Sequence, residues 1–422
     1  MRLEKMNHEN DWNQDLTLSY QDIQMGELQH KPTSYPFTRF KFQHRLFSSR
    51  ILQPVDYLLL VEPYIPKELI SRRNYAEIKQ LADYFTTGIT SFFGFETRLN
   101  SSKPTTDYLF AISAKQGERE ALASLFQKKN LPNSFLQKTE WQQVEKLVQS
   151  WADPRSILYS KVLGLWFEFD TSESSPDIPI PCIFISTVPL RINTQEDVQN
   201  CLWLTKTALP LLTGHSLSEK LEQRVLQAIL QLPDKSVLMN VGAMIARQAK
   251  GIRLVITHIQ PTQILPYLTS LGWTDTNDEF SVLIKELEQQ VSRLVLHINI
   301  TEEGIDQKIG IECSFSQDQY NFETGWASFF DYLISKNVCL PEKKASLLGF
   351  LGVEQEDNHN DFDLSSYQLT VKMTEQTLTR ALVRYISHIK LVYKPNQPLE
   401  AKAYPGVRLF GRSSQQIDTQ YQ

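Results

Sequence analysis

Glu96 and Arg98 occupy alternate positions of a short segment, Phe93–Asn100 (FGFETRLN), whose intervening positions are mostly apolar. The pattern recurs along the chain. His297 shares a face with Arg293 in RLVLHINI, Lys308 with Glu312 in KIGIECSF, and Lys402 with Tyr404 in LEAKAY. Arg253 in IRLVI, Lys390 in IKLVY and Glu168 in LGLWFEFD add charge on similar strands. A two-residue period puts such side chains on one side of a β-strand. Carboxylates, cations, an imidazole and a phenol on one surface can hold an anion, orient a donor and move a proton. Whether they meet depends on the sheet. In an open sheet they form a solvated face. In a closed barrel they share a lumen that must hold water or a polar ligand, because dry burial of unpaired charge is prohibitive.

Other chemistries are poorly represented. No GxGxxG, P-loop, HExxH or Cys/His metal spacing occurs, which disfavours dinucleotide, NTPase and zinc-hydrolase sites. The segment Gly214–Ser218 (GHSLS) approaches a nucleophile elbow but ends in Ser. Ser216 followed by Glu219 reads instead as a capping box. Asp275–Glu279 (DTNDE) reads as a capped helix start rather than a metal loop. Cys182, Cys201, Cys313 and Cys339 form no CxxC pair and read as reduced packing residues.

The chain has 422 residues, with 43 Lys and Arg against 48 Asp and Glu, for a net charge of -5. That balance disfavours a globally basic nucleic-acid binder. No run of apolar residues is long enough to span a bilayer, and the first residues lack the apolar core of a signal peptide. The expectation is a cytoplasmic protein with no nucleic-acid or membrane partner. Its organisation reads as a polar N-terminal arm over 1–45, one folded domain over 46–410 and a polar tail over 411–422.

The elements that position the polar faces are strand pairs. Alternating segments pair as hairpins near 93–113, 163–188, 237–259, 293–315 and 388–404. Helical spacing falls before, between and after them, at Asn74–Thr87, Glu118–Lys128, Glu140–Trp151, Glu196–Ala208, Leu217–Gln231, Ile264–Leu271, Val282–Gln290, Trp326–Ser335 and Thr374–Tyr385. Hairpins alternating with helices predict an α+β fold with an antiparallel sheet and helices on one face. Ten such strands suffice to close an antiparallel barrel of five α-β-β-α units with the helices outside. The stretch Leu340–Tyr367 is the least regular, and the acidic run within it, 354–361, reads as an exposed loop.

This order of elements resembles the aromatic prenyltransferase (ABBA) barrel, most of all its indole-type branch, over residues 75–410. FGFETRLN is similar to that family's first strand, which makes Glu96 the counterpart of a carboxylate that anchors an aromatic acceptor. Lys402-Ala403-Tyr404 fits the family's Lys-x-Tyr pattern, and Arg253 and Lys390 add cations on other strands. DYLFAIS departs from the pattern, since it has no Arg or Lys where a diphosphate-holding Arg is usual. The resemblance implies transfer of a prenyl group from an allylic diphosphate to an aromatic small molecule or peptide. Glu96 is then the catalytic carboxylate. Arg98, Arg253, Arg293, His297, Lys308, Glu312, Lys390, Lys402 and Tyr404 line the substrate site. No cofactor is required, although magnesium is admitted. The other reading open at this point is a non-catalytic scaffold that holds a peptide or partner, or a barrel enzyme with another polar substrate.

Overall fold

The computed structural model describes residues 53–85, 92–115, 117–127, 131–171, 178–192, 195–247, 251–275, 278–315, 325–355 and 381–410. The arm 1–45, the tail 411–422 and most of the acidic run 354–361 lie outside the described residues.

The strands are β1 Phe92–Arg98, β2 Thr106–Ser113, β3 Val162–Phe169, β4 Pro181–Leu190, β5 Val237–Ala243, β6 Ile252–Thr257, β7 Arg293–Ile300, β8 Ile309–Ser314, β9 Gly352–Gln355, β10 Ala381–Tyr393 and β11 Glu400–Phe410. All pair antiparallel. Each from β1 to β8 pairs with the next, β8 pairs with β10, β10 with β11, and β11 returns to β1. The ring is therefore closed by ten strands. β9 stands outside it and pairs only with Ala381–Arg384 at the start of β10. Closure removes the open-sheet alternative and leaves the ring without a free edge.

Alternation decides what faces outward. Phe93, Phe95, Tyr108, Phe110, Phe167 and Phe169 are buried on the outer face, where helices cover them. Phe110 and Phe167 stack with ring centroids 5.2 Å apart across neighbouring strands. The covering helices are amphipathic for the ordinary reason. In the helix Thr139–Ala152, Trp141, Val144, Leu147, Val148 and Trp151 recur at three- and four-residue spacing and are buried. The buried indoles are also satisfied. Trp141 Nε1 donates to Pro179 O at 2.9 Å and Trp151 Nε1 to Val162 O at 3.0 Å. Phe110→Ala is expected to destabilise the fold by about 3–5 kcal/mol, since the ring sits in a dense aromatic layer that cannot collapse into the gap. A denaturant midpoint unchanged from wild type would rule this out.

Several local expectations change. Ala381–Tyr385 opens β10 instead of ending a helix, and 374–380 lie outside the described residues. Leu382, Tyr385, Ile386 and Ile389 fit helical spacing, but pairing with β11 along the whole segment decides the outcome. A bulge between Ile386 and His388 then resets the alternation, so Tyr385, His388 and Lys390 all face inward. The cap near GHSLS is Ser218, whose Oγ accepts from Leu221 N at 3.2 Å, not Ser216, because the helix begins at Glu219. Asp275 Oδ2 accepts from Ser281 N at 3.2 Å at the start of the helix Glu279–Gln290. The stretch read as least regular contains the helix Pro341–Phe350 and β9. The helices Pro54–Val61, Asn133–Leu136 and Ile157–Lys161 gave no periodic signal in the sequence.

Candidate functional site

One end of the barrel opens as a recess of about 320 Å3 lined by Arg98, Asp107, Asp170, Arg247, Lys308, Glu400 and Lys402. That volume lies at the lower end of the range for small-molecule sites, roughly 300–1,000 Å3. Arg247 grips Asp170 with both ends of its guanidinium, Nε to Oδ2 at 2.8 Å and Nη2 to Oδ1 at 2.5 Å. Arg98 Nη2 lies 3.7 Å from Asp107 Oδ2, so Arg98 turns to β2 and not to Glu96 on its own strand. Thr171 N donates to Asp107 Oδ1 at 3.0 Å. Burial, helped by Glu96 and Asp170 and opposed by Arg98 and the Thr171 amide, pushes the Asp107 carboxyl up to about 6.

Glu96 lies deeper, where β1 pairs with β11. The register sets Arg98 opposite Lys402 and Thr97 opposite Ala403, which places Glu96 beside Tyr404. Its Oε1 accepts from Lys402 Nζ at 2.5 Å, and its Oε2 accepts from the Tyr404 hydroxyl. Burial alone raises a carboxyl. Here the Lys402 ammonium, the two hydrogen bonds and Lys390 outweigh burial and hold Glu96 down at about 2. The same carboxylate, together with burial, raises the Tyr404 phenol well above its ordinary value. Because Lys402 lines the recess, the ion pair is the link between the recess and the interior.

A second cluster joins β7, β8 and β10. His297 Nε2 lies 2.5 Å from Glu312 Oε1, His388 Nε2 lies 3.4 Å from it, and Lys390 Nζ lies 4.0 Å from it. Lys390 Nζ donates to His297 Nδ1 at 2.8 Å. That bond assigns the ring proton to Nε2, facing Glu312. Burial, with Lys390 adding to it, holds His297 neutral and lowers it to about 4 against the pull of Glu312. Glu312 is held below the ordinary carboxylate range. Burial opposes this, but His388, His297 and Lys390 prevail. Gly310 makes the arrangement fit. A Cβ there would lie 2.9 Å from Lys390 Cε and 3.1 Å from His297 Cβ. The His388 ring stacks on Tyr404 with centroids 4.2 Å apart, which brings the two clusters into contact.

The polar lumen read from periodicity is thus only half of the interior. Phe92, Leu109, Val383, Tyr385 and Tyr404 form one apolar group, and Cys182, Phe184, Met244, Val255 and Val295 another. Trp166 packs against both. Phe184 lies flat over Gly242, where a Cβ would come within 2.4 Å of its ring.

The residues singled out in the sequence share the inward parity of their strands, with Arg98 and Lys308 exposed at the recess, and they do not converge on one point. Glu96, Lys402 and Tyr404 form the first cluster, and His297, Glu312 and Lys390 the second. Arg98 and Lys308 belong to the recess. Arg293 stands toward the other end, where its Nη2 donates to Thr257 Oγ1 at 2.9 Å. Arg253 enters from β6, and its Nε has no hydrogen-bond partner among the described residues. Asp107, Asp170, Arg247, His388 and Glu400 complete the site. Asp107 and Asp170 carry the alternation of their strands and His388 shares the parity of Lys390, so these were readable. Arg247 comes from a short 3-10 turn, Ile245–Arg247, and has no sequence signal. Among the described residues no group of three or more His, Cys, Asp or Glu is placed to hold a metal ion, and no helix is long and apolar enough to cross a membrane.

No family model and no curated protein matches this chain in sequence. Solved structures do match it in shape. The apo form of the prenyltransferase PriB is 10% identical with a TM-score of 0.48, over 83% of this chain and 93% of that one. The 5-dimethylallyltryptophan synthase from Streptomyces coelicolor is 11% identical with a TM-score of 0.46, over 84% and 97%. AnaPT from Neosartorya fischeri is 11% identical with a TM-score of 0.43, over 83% and 91%. The likeness is a distant one of architecture.

Proposed function

We propose that the barrel is an enzyme that transfers a prenyl group from an allylic diphosphate to an aromatic acceptor, a Trp or Tyr free or within a peptide. The observation that carries this reading is Glu96: a carboxylate kept ionised inside a closed barrel and paired with Lys402, which lines a recess whose walls also include Arg98, Arg247 and Lys308. Those cations suit a diphosphate leaving group. The ionised Glu96 suits an acceptor N–H or O–H, which it orients by a charge-assisted hydrogen bond. The Tyr404, Trp166 and Phe92 rings offer the π-faces that shield an allyl cation from water. No metal is needed by this reading, and magnesium can accompany the diphosphate.

A second reading, a non-catalytic scaffold, is favoured by one specific observation. Lys402, Lys390, Arg98 and Arg247 each already lie against a carboxylate or an imidazole, which leaves less free positive charge for a ligand. Thermal stabilisation by dimethylallyl, geranyl and inorganic diphosphate, without and with magnesium, separates the two. A ligand that binds only the folded state stabilises it by about 2.7 kcal/mol at a hundredfold excess over Kd and raises the midpoint further as its concentration grows. The expected shift is present in wild type and reduced in Lys308→Ala, an exposed recess lysine with no ion pair among the described residues. No shift with any of the three ligands would leave the scaffold as the better account.

A further inference from the structure

Most carboxylates inside the ring already have a partner: Glu96 has Lys402 and Tyr404, Asp107 has the Thr171 amide, Asp170 has Arg247, and Glu312 has His297. Glu168 has none. On β3 it stands opposite Leu109 of β2 and Cys182 of β4, neither of which offers a strong donor. Among the described residues its carboxyl makes no hydrogen bond and no ion pair. It is partly exposed, and an inward side chain of a closed ring is exposed only to the space inside. Trp166 shares its face two residues away, so the carboxyl borders an aromatic surface. Arg253 on β6 is its counterpart in sign, a guanidinium that likewise forms no hydrogen bond or ion pair with the described residues. An unpaired acid and an unpaired base inside one barrel are costly unless a ligand uses them.

We propose that Glu168 is the general base of the lumen, the group that accepts the proton lost by the aromatic acceptor. The inference rests on the prenyl-transfer reading. In the reaction, the bond between the allylic carbon and the diphosphate oxygen breaks, and its electron pair leaves with diphosphate. A π pair of the acceptor ring forms the new carbon–carbon bond. The arenium ion then gives the proton of that carbon to a Glu168 oxygen, and the C–H pair restores the aromatic ring. The products are the prenylated arene, diphosphate and a protonated Glu168, which returns its proton to water.

Glu96 is unsuited to that step, because a carboxyl held at about 2 does not keep a proton near neutrality. Glu168 differs. Burial, with Glu96 adding to it, pushes its carboxyl up to about 7 against Lys390, Arg247 and Lys402. A base is most effective when its affinity for the proton matches the working pH. The charged and titratable groups that face it are Glu96 from β1, Cys182 from β4, Arg253 from β6, Lys390 from β10, Lys402 and Tyr404 from β11, and Arg247 at the recess.

The test compares wild type, Glu168→Gln and Glu96→Gln in single-turnover reactions with dimethylallyl diphosphate and L-tryptophan from pH 5 to 9. Wild type should show a rate that rises through about pH 7, and Glu96→Gln, which removes a charge that raises Glu168, should keep a rise displaced to lower pH. Glu168→Gln should lose about a hundredfold or more in rate, the usual size of a base's contribution, along with the pH step. Its diphosphate-induced thermal shift should stay that of wild type. A Glu168→Gln enzyme that keeps the rate and the step overturns the proposal. Stability supplies a readout independent of turnover. A carboxyl raised above its unfolded value opposes folding once the pH exceeds that unfolded value. Glu168→Gln should therefore exceed wild type in melting temperature at pH 8 and lie close to it at pH 5. If no variant makes product but this difference persists, the prenyl reading falls and takes the base role of Glu168 with it, while the raised carboxyl stands. If the difference is also flat, both fall.

Discussion

Glu312→Ala is expected to lose about 3–5 kcal/mol of stability, the loss typical of removing one partner from a buried ion cluster. The reason lies in what remains. Lys390, which burial already lowers to about 8, would lose the nearest carboxylate that holds its proton, and His297 and His388 would lose the acceptor toward which both Nε2 atoms point. Removing the stranded cation as well should recover part of the loss. The double variant Glu312→Ala, Lys390→Met is therefore expected to be more stable than Glu312→Ala alone, with a coupling of about 1–3 kcal/mol for groups in contact. Urea unfolding of the four proteins measures it. Strict additivity would show that the cluster acts as separate contacts and not as a unit.

The second large effect appears on acidification. Glu96 is held at about 2, and Glu312 below the ordinary range. A carboxyl with a lowered folded value stabilises the fold above its unfolded value and loses that contribution as pH falls toward the folded one. For Glu96 the window runs from about 4.5 to 2, and its contribution is about 3 kcal/mol. Between about 6.5 and 4.5 opposing terms meet. His297 and His388, held neutral, lose stability as pH falls, because the unfolded chain takes up the protons first. Glu168 and Asp107, raised to about 7 and about 6, gain it. The expected profile is nearly flat from pH 7 to about 4.5 and steep below. Glu96→Gln should start from a lower plateau and fall less steeply below pH 4.5. A wild-type curve that already falls steeply between pH 6.5 and 5 would mean that the histidines outweigh the acids.

Much of this was legible in the sequence. The hairpins of the ring show as alternation because one face of each strand meets helices and the other meets charge. Glu96 and Lys402 could be placed on one surface by parity alone. What parity cannot give is which strands become neighbours. Glu96 pairs with Lys402 and Tyr404 because β1 meets β11, and Arg98 finds Asp107 because β1 also meets β2. The extent of the apolar filling was hidden for a related reason. Trp166, Phe184, Val255 and Val295 sit at inward positions, and only closure shows that they pack against one another. β9 was unreadable, since four residues carry too little pattern to stand out.

The pairing of β1 with β11 also governs how the chain must assemble. It joins Phe92–Arg98 to Lys402–Arg408, so the last seam of the ring closes across almost the whole described length. Contacts so distant in sequence form slowly. On the ribosome, β1 waits as an unpaired edge until the final strand has emerged, and Glu96 waits without Lys402 and Tyr404. Such an edge is a template for pairing with another chain. Truncation before β11 therefore should yield aggregation rather than a smaller folded protein, and the ion pair at Glu96 marks the moment at which the nascent chain becomes safe.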